Sequence, residues 1–155
     1  MPSASGFSSP SELLIHDHYH LKDLFADYER LVPRERDKKA DVIRRIGHEL
    51  RGHFRIEERL LYPALLTLKS RAVQELVRTA KSEHGAILKA CDELSHLENS
   101  EQQERMMKAL FKQVVTYADF EEKRLLPWAK SLPGVTLREM SLEIEELKGE
   151  GRPRE

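Results

Sequence analysis

His53-Phe54-Arg55-Ile56-Glu57-Glu58-Arg59-Leu60-Leu61-Tyr62-Pro63 has a near-copy in the same chain, Tyr117-Ala118-Asp119-Phe120-Glu121-Glu122-Lys123-Arg124-Leu125-Leu126-Pro127, which begins 64 residues later. Each copy carries a Glu-Glu pair and then a leucine pair, with a proline six residues beyond the first Glu. Four residues before that Glu stands a side chain able to bind a metal, the imidazole of His53 or the phenol of Tyr117. Residues i and i+4 share one face of a helix, so His53 and Glu57 can aim a nitrogen and a carboxylate at one point.

Working outward, the periodicity predicts four long amphipathic helices. Ser9-Pro10-Ser11-Glu12 reads as a helix start, with Ser9 as N-cap, Pro10 in the first turn and Glu12 closing a capping box. Helix 1 is expected over 10–31, striped by Leu14, His18, Leu21, Phe25 and Val32 and stopped by Pro33, with 34–39 as a charged connection. Helix 2 is expected over 39–61, with Val42, Ile46, Leu50, His53, Glu57 and Leu60 on one face and Pro63 kinking or ending it. Helix 3, over 70–97, carries Val73, Val77, Ala80, His84, Ile87, Leu88, Cys91 and Leu94. Helix 4, over 101–130, is started by a Ser100–Gln103 capping box and aligns Met107, Leu110, Val114, Tyr117, Glu121, Leu125 and Trp128. Pro133-Gly134 turns the chain into a short fifth helix, 136–148, capped by Thr136 and Glu139. Residues 1–8 and 149–155 read as tails. No segment alternates as a strand does, so the expected fold is all-α: an up-down-up-down four-helix bundle with a short additional C-terminal helix. Asp17-His18 and Glu83-His84 also lie 66 residues apart, which pairs hairpin 11–66 with hairpin 70–130 inside one domain over 9–148.

The bulk numbers exclude several functions. With 26 Lys+Arg against 27 Asp+Glu, the formal charge of −1 gives no electrostatic case for nucleic acid or an anionic membrane. No apolar run is long enough to span a bilayer, and the N-terminus lacks the layout of a signal peptide. A single cysteine excludes an internal disulfide and fits a reducing compartment, so a cytoplasmic location is expected.

Seven histidines are present, and at about 100° per residue only His18, His53 and His84 fall near the centre of an apolar stripe. His16, His20, His48 and His96 fall on polar faces. Glu57 and Glu121 share the inward stripes, and acidic side chains are rarely buried unless paired or metal-bound. Three imidazoles, two carboxylates and the Tyr117 phenol would make a costly empty core, whereas cations at their centre remove the cost. Imidazole with carboxylate suits iron, manganese or zinc better than calcium or magnesium. Six protein ligands exceed one tetrahedral zinc, and two ions bridged by carboxylates would use them all. The Glu-x-x-His pattern of ferritin-like sites occurs once, at Glu93–His96, on the wrong face. His48 and His53 are five apart, about 140° around a helix, and so do not form a zinc-protease pair.

In order and spacing, Asp17-His18, His53 with Glu57, Glu83-His84 and Glu121 resemble the hemerythrin-like, or HHE cation-binding, domains over about residues 11–130. The resemblance implies two irons bridged by Glu57 and Glu121, with His18 and His53 completing one ion and His84 and position 117 serving the other. The family expects a histidine where this chain has Tyr117. As a phenolate ligand, Tyr117 would favour ferric iron and disfavour reversible oxygen carriage; otherwise it is a buried tyrosine hydrogen-bonded to a bridging carboxylate. The implied function is a non-heme di-iron protein that meets oxygen, peroxide or nitric oxide. The alternatives are a peroxide-decomposing or iron-centre-repair enzyme, and an iron storage or structural site. Around the site, Glu49 could accept from His53 or form a rim salt bridge, while Glu58, Glu83 and Glu122 point sideways as solvated or hydrogen-bonding neighbours. Cys91, two turns past His84, is core.

Overall fold

The computed structural model describes residues 8–150, and among them it is helical with no strand. The tails expected over 1–8 and 149–155 lie outside the described residues except for Ser8, Gly149 and Glu150. Helix α1 spans Pro10–Arg30, and Ser9 Oγ accepts the Glu12 N–H at 3.1 Å. Helix α2 spans Arg36–Ile56, three residues longer at its start than the charge run suggested, because the Glu35 carboxylate accepts the Val32 N–H and closes the turn. Lys39, expected at the solvated connection, is instead 5% exposed. Its ammonium pairs with Glu104 at 2.5 Å and lies 5.0 Å from the centre of the Tyr28 ring, tying α2 to the next-but-one rod of the bundle.

Pro63 does not end the second rod. Helix α2 runs into a π-turn, Glu57–Leu61, and continues as α3, Tyr62–Leu66. A proline inside a helix lacks an N–H and clashes with the carbonyl a turn back. The π-turn, in which the Tyr62 N–H bonds the Glu57 carbonyl, widens the backbone just ahead of it. The second copy does the same: α5, Ser100–Phe120, runs into a π-turn at Glu121–Leu125, and Pro127 follows in a 3-10 segment, Leu126–Ser131. Between these rods lies α4, Arg71–Ser95, started by Ser70 Oγ accepting the Val73 N–H. Helix α6, Gly134–Glu150, closes the described chain.

Two expected caps are corrected. Asn99, not Ser100, caps α5, its side chain accepting the Gln102 N–H at 3.0 Å. Thr136 lies inside α6, which begins at Gly134, so the Thr136–Glu139 cap does not form. Asn99→Ala should cost about 1 kcal/mol of stability, a typical N-cap loss, while Ser100→Ala should be near neutral. Paired urea titrations of the two variants check this, and equal losses would contradict it.

The four rods pack around one core in which α1 meets α2, α2 meets α4, α4 meets α5 and α5 meets α1, as an up-down-up-down bundle requires. Leu14, Ile46, Leu50, Phe54, Val73, Ala80, Ile87, Leu94 and Leu110 are buried at the inner stripes. Val32, expected on the stripe of helix 1, is 43% exposed because the helix has ended before it. Leu60 is only half-buried, and Leu61 and Tyr62 take the inner positions instead. Helix α6 lies against α1, α2 and the first π-turn, burying Met140, Ser141 and Ile144.

Candidate metal centre

Every rod of the bundle sends polar side chains to one point. Helix α1 supplies His18, α2 supplies His53, α4 supplies His84 and α5 supplies Tyr117, while Glu57 and Glu121 are the first residues of the two π-turns. Glu57 and Glu121 are 0% exposed, and His18, His53, His84 and Tyr117 no more than 3%. The structure thus brings all six together. The four remaining histidines stay off the core, with His16, His48 and His96 exposed and His20 on the rim.

The cluster has two halves. In the first, His18 Nε2 and His53 Nε2 are 3.3 Å apart, and Glu121 Oε1 stands 3.0 Å from the former and 3.4 Å from the latter. These three residues offer ligand atoms within 4.8 Å of one another, the geometry of a seat for one ion. In the second half, the Tyr117 hydroxyl is 2.7 Å from each of His84 Nε2, Glu57 Oε1 and Glu121 Oε2. Glu57 Oε1 reaches both halves, 3.0 Å from His84 Nε2 and 3.4 Å from His53 Nε2.

The other ring nitrogens are all engaged. Nδ1 of His18 bonds Glu122 at 2.8 Å, Nδ1 of His53 bonds Asp17 at 2.9 Å, and Nδ1 of His84 bonds Glu58 at 2.9 Å. A carboxylate can only accept, so each Nδ1 carries the hydrogen. In the neutral rings, each Nε2 then presents a lone pair to the centre, as imidazole–carboxylate pairs do around metals. The Phe54 ring stacks on His84 with centroids 3.8 Å apart and holds it in place.

This arrangement is short of positive charge. With the rings neutral, four carboxylate oxygens and three Nε2 atoms face only the hydroxyl protons of Tyr117 and its neighbour Tyr62. Glu57 Oε2 and Glu121 Oε1 are buried with no hydrogen-bond partner; His18 and His53 come within ion-pair distance of the latter, but not in hydrogen-bond geometry. Buried oxygens without partners are costly, and a cation among them satisfies both oxygens and lone pairs at once. The residues present therefore fit a metal ion.

The protonation equilibria of the metal-free cluster express the same demand. Burial opposes the charged form of His53, but the Asp17 hydrogen bond and the nearby Glu121 and Asp17 carboxylates outweigh it and push the imidazole up to about 9. Burial likewise opposes the charged forms of Glu121 and Asp17. For Glu121 the His18 and His53 imidazoles prevail, and for Asp17 His53 and Lys148 do, so both carboxyls lie below their usual range. For His84, burial outweighs Glu58 and lowers the ring to about 4, leaving a neutral donor at ordinary pH. Burial raises the phenols of Tyr62 and Tyr117. The Cys91 thiol is buried and pushed up to about 11, so it is an inert part of the core.

Sequence reasoning missed Tyr62, which is 0% exposed and stands 3.0 Å from both His84 Nε2 and the Tyr117 hydroxyl. Five residues from Glu57, it would lie about 140° away on a regular helix. The π-turn stacks residue i+5 over residue i and swings Tyr62 into the site. The proline echo was the available signal. The Asp17-His18, Glu57-Glu58 and Glu121-Glu122 doublets likewise signalled the outer carboxylates, although Asp17 had no role assigned and Glu58 and Glu122 stood beside a solvated alternative. Glu49 faces His20 at 3.8 Å, so it forms the rim contact and not a bond to His53.

Fold and site together define a helical-bundle cation-binding protein with a buried histidine–carboxylate centre. Residues 9–129 match the family described as the hemerythrin HHE cation binding domain, and the chain belongs to that family. It also resembles the crystal structure of a hemerythrin HHE cation binding domain-containing protein from Mycobacterium kansasii, with 22% identity, a TM-score of 0.75, and coverage of 92% of this chain and 89% of that one. That likeness carries the fold alone. No curated relative matches the sequence significantly.

Proposed function

We propose that this chain is a non-heme iron-binding protein with a two-ion centre. Glu57 and Glu121 would be shared between the ions, His18 and His53 would hold one, and His84 and Tyr117 would hold the other. The carrying observation is the pair of partnerless buried oxygens, Glu57 Oε2 and Glu121 Oε1, among inward-facing imidazole nitrogens. Bound iron would supply an open coordination position and the electrons needed to take up oxygen, peroxide or nitric oxide. The chain's own residues orient the imidazoles through Asp17, Glu58 and Glu122, wall the centre with Phe54, and hold a proton at the Tyr62 hydroxyl, 3.0 Å from the Tyr117 oxygen.

That Tyr62 hydroxyl favours a second reading, peroxide decomposition, over reversible oxygen carriage, because breaking an O–O bond requires proton delivery. Metal analysis with a visible spectrum tests the first reading, and a preparation that binds no iron sinks it. Brisk oxygen evolution from added peroxide supports the second, whereas a reversible oxy spectrum after anaerobic reduction supports carriage. Tightly held iron with neither response marks storage or structure. Tyr117→Phe should abolish any visible phenolate-to-iron band, and an unchanged band excludes phenolate ligation. The single buried cysteine fits a cytoplasmic site of action, and no described helix is long and apolar enough to cross a membrane.

A further inference from the structure

The three carboxylates behind the imidazoles are not equivalent. Glu58 and Glu122 are 45% and 33% exposed and meet water directly. Asp17 is 14% exposed and is held from the other side by Lys148 of α6, whose ammonium stands 2.5 Å from Asp17 Oδ1 and 3.4 Å from the Leu13 carbonyl. The second Asp17 oxygen, Oδ2, takes the His53 Nδ1–H. One continuous chain of charge-assisted contacts therefore runs from α6 through Asp17 to Nδ1 of the imidazole whose Nε2 faces the ion seat. Helix α6 lies beyond residues 9–129, the part of the chain that matches the family model.

The geometry points to Lys148 as a positioning residue for His53, acting through Asp17, so that a docked α6 sets both the grip and the electron demand of the His18–His53–Glu121 seat. Two consequences follow from the chemistry. An aspartate held at one oxygen keeps the rotamer that orients the His53 ring, and losing an outer partner of a ligating imidazole typically costs about 10–100-fold in metal affinity. A cation on the far oxygen also draws electron density from Asp17, so His53 remains a neutral donor and does not lean toward imidazolate. Removing that charge makes the seat more electron-rich and favours the more oxidised ion. The Ile144 side chain, 0% exposed, anchors α6 by apolar packing alone. It separates the charge relay from simple docking of the helix.

The inference rests on the proposed metal reading, and the test keeps the two apart. Iron affinity and the midpoint potential are measured for wild type, Lys148→Met, Lys148→Arg and Ile144→Ala, and the His53 imidazole nitrogen resonances are recorded on the metal-free proteins. Lys148→Met should weaken iron binding, by less than the about 10–100-fold that losing Asp17 itself would cost. It should also lower the midpoint potential and shift the His53 Nδ1 resonance. Lys148→Arg should restore all three. Ile144→Ala should lower stability while leaving the midpoint and the resonance near wild type. Wild-type values in Lys148→Met, or changes in Ile144→Ala as large as those in Lys148→Met, overturn the inference and leave the metal reading standing. A wild-type chain that takes up no iron overturns both.

Discussion

Glu121→Ala should yield a folded protein that, on the proposed reading, fails to retain added iron through dialysis. Glu121 is shared by both halves of the centre: Oε1 approaches His18 and His53, while Oε2 is 2.7 Å from the Tyr117 hydroxyl. Losing an outer partner costs about 10–100-fold in metal affinity, so losing this inner carboxylate should cost more than about 100-fold. The loss is also readable as stability. With free metal near a thousand times its dissociation constant, binding stabilises the folded chain by about 4 kcal/mol. For a domain of this size that is a rise in Tm of about 8–16 °C, at about 2–4 °C per kcal/mol. Wild type should show this rise on loading and lose it to a chelator, and Glu121→Ala should show none. Glu121→Gln, which keeps the volume and removes the charge, should behave in the same way and guards against a simple cavity effect. A variant that holds iron at the wild-type ratio would remove the carboxylate from the site.

The metal-free protein should be most stable near pH 6.5 and weaken on both sides. His53 is raised to about 9, so its contribution is fully present below the ordinary histidine value of about 6.5 and is lost as pH climbs through 9. At about 1.4 kcal/mol per pH unit, that alkaline arm amounts to about 3 kcal/mol. His84 works in the opposite sense. Its ring is lowered to about 4, so the folded state resists a proton that the unfolded chain accepts, and stability falls as pH drops from about 6.5 toward 4. The lowered carboxyls of Glu121 and Asp17 add to the acid arm, since their contribution is present above the ordinary range of about 4 and is lost below it. Metal loading should flatten the alkaline arm, because an ion displaces the His53 proton and affinity then rises about tenfold per pH unit up to about 9. Thermal melts of chelated and loaded protein from pH 4 to about 10 give both curves. A chelated protein equally stable from pH 6.5 to 9 would contradict the assignment to His53.

What the sequence by itself determined was the helical bundle and the six residues that meet at its centre. Both follow from helical periodicity, in which inward residues recur every three or four positions, so that His18, His53 and His84 separate from His16, His20, His48 and His96 without coordinates. Local rules also served at Ser9, where the cap lies within three residues of the N–H it accepts. The same rules failed at Asn99 and Thr136, where adjacent residues offer equal chemistry and only the path of the backbone decides between them. Tertiary structure alone decided the π-turns, and with them the inward swing of Tyr62, because one extra residue in a turn rotates everything beyond it. It alone also joined Lys148 to Asp17 and Glu104 to Lys39, contacts between side chains 131 and 65 residues apart. Periodicity places a side chain on a face; which distant partner lies opposite is settled only when the rods pack, and here that packing sets carboxylate oxygens against imidazole nitrogens, a donor set a cation would satisfy.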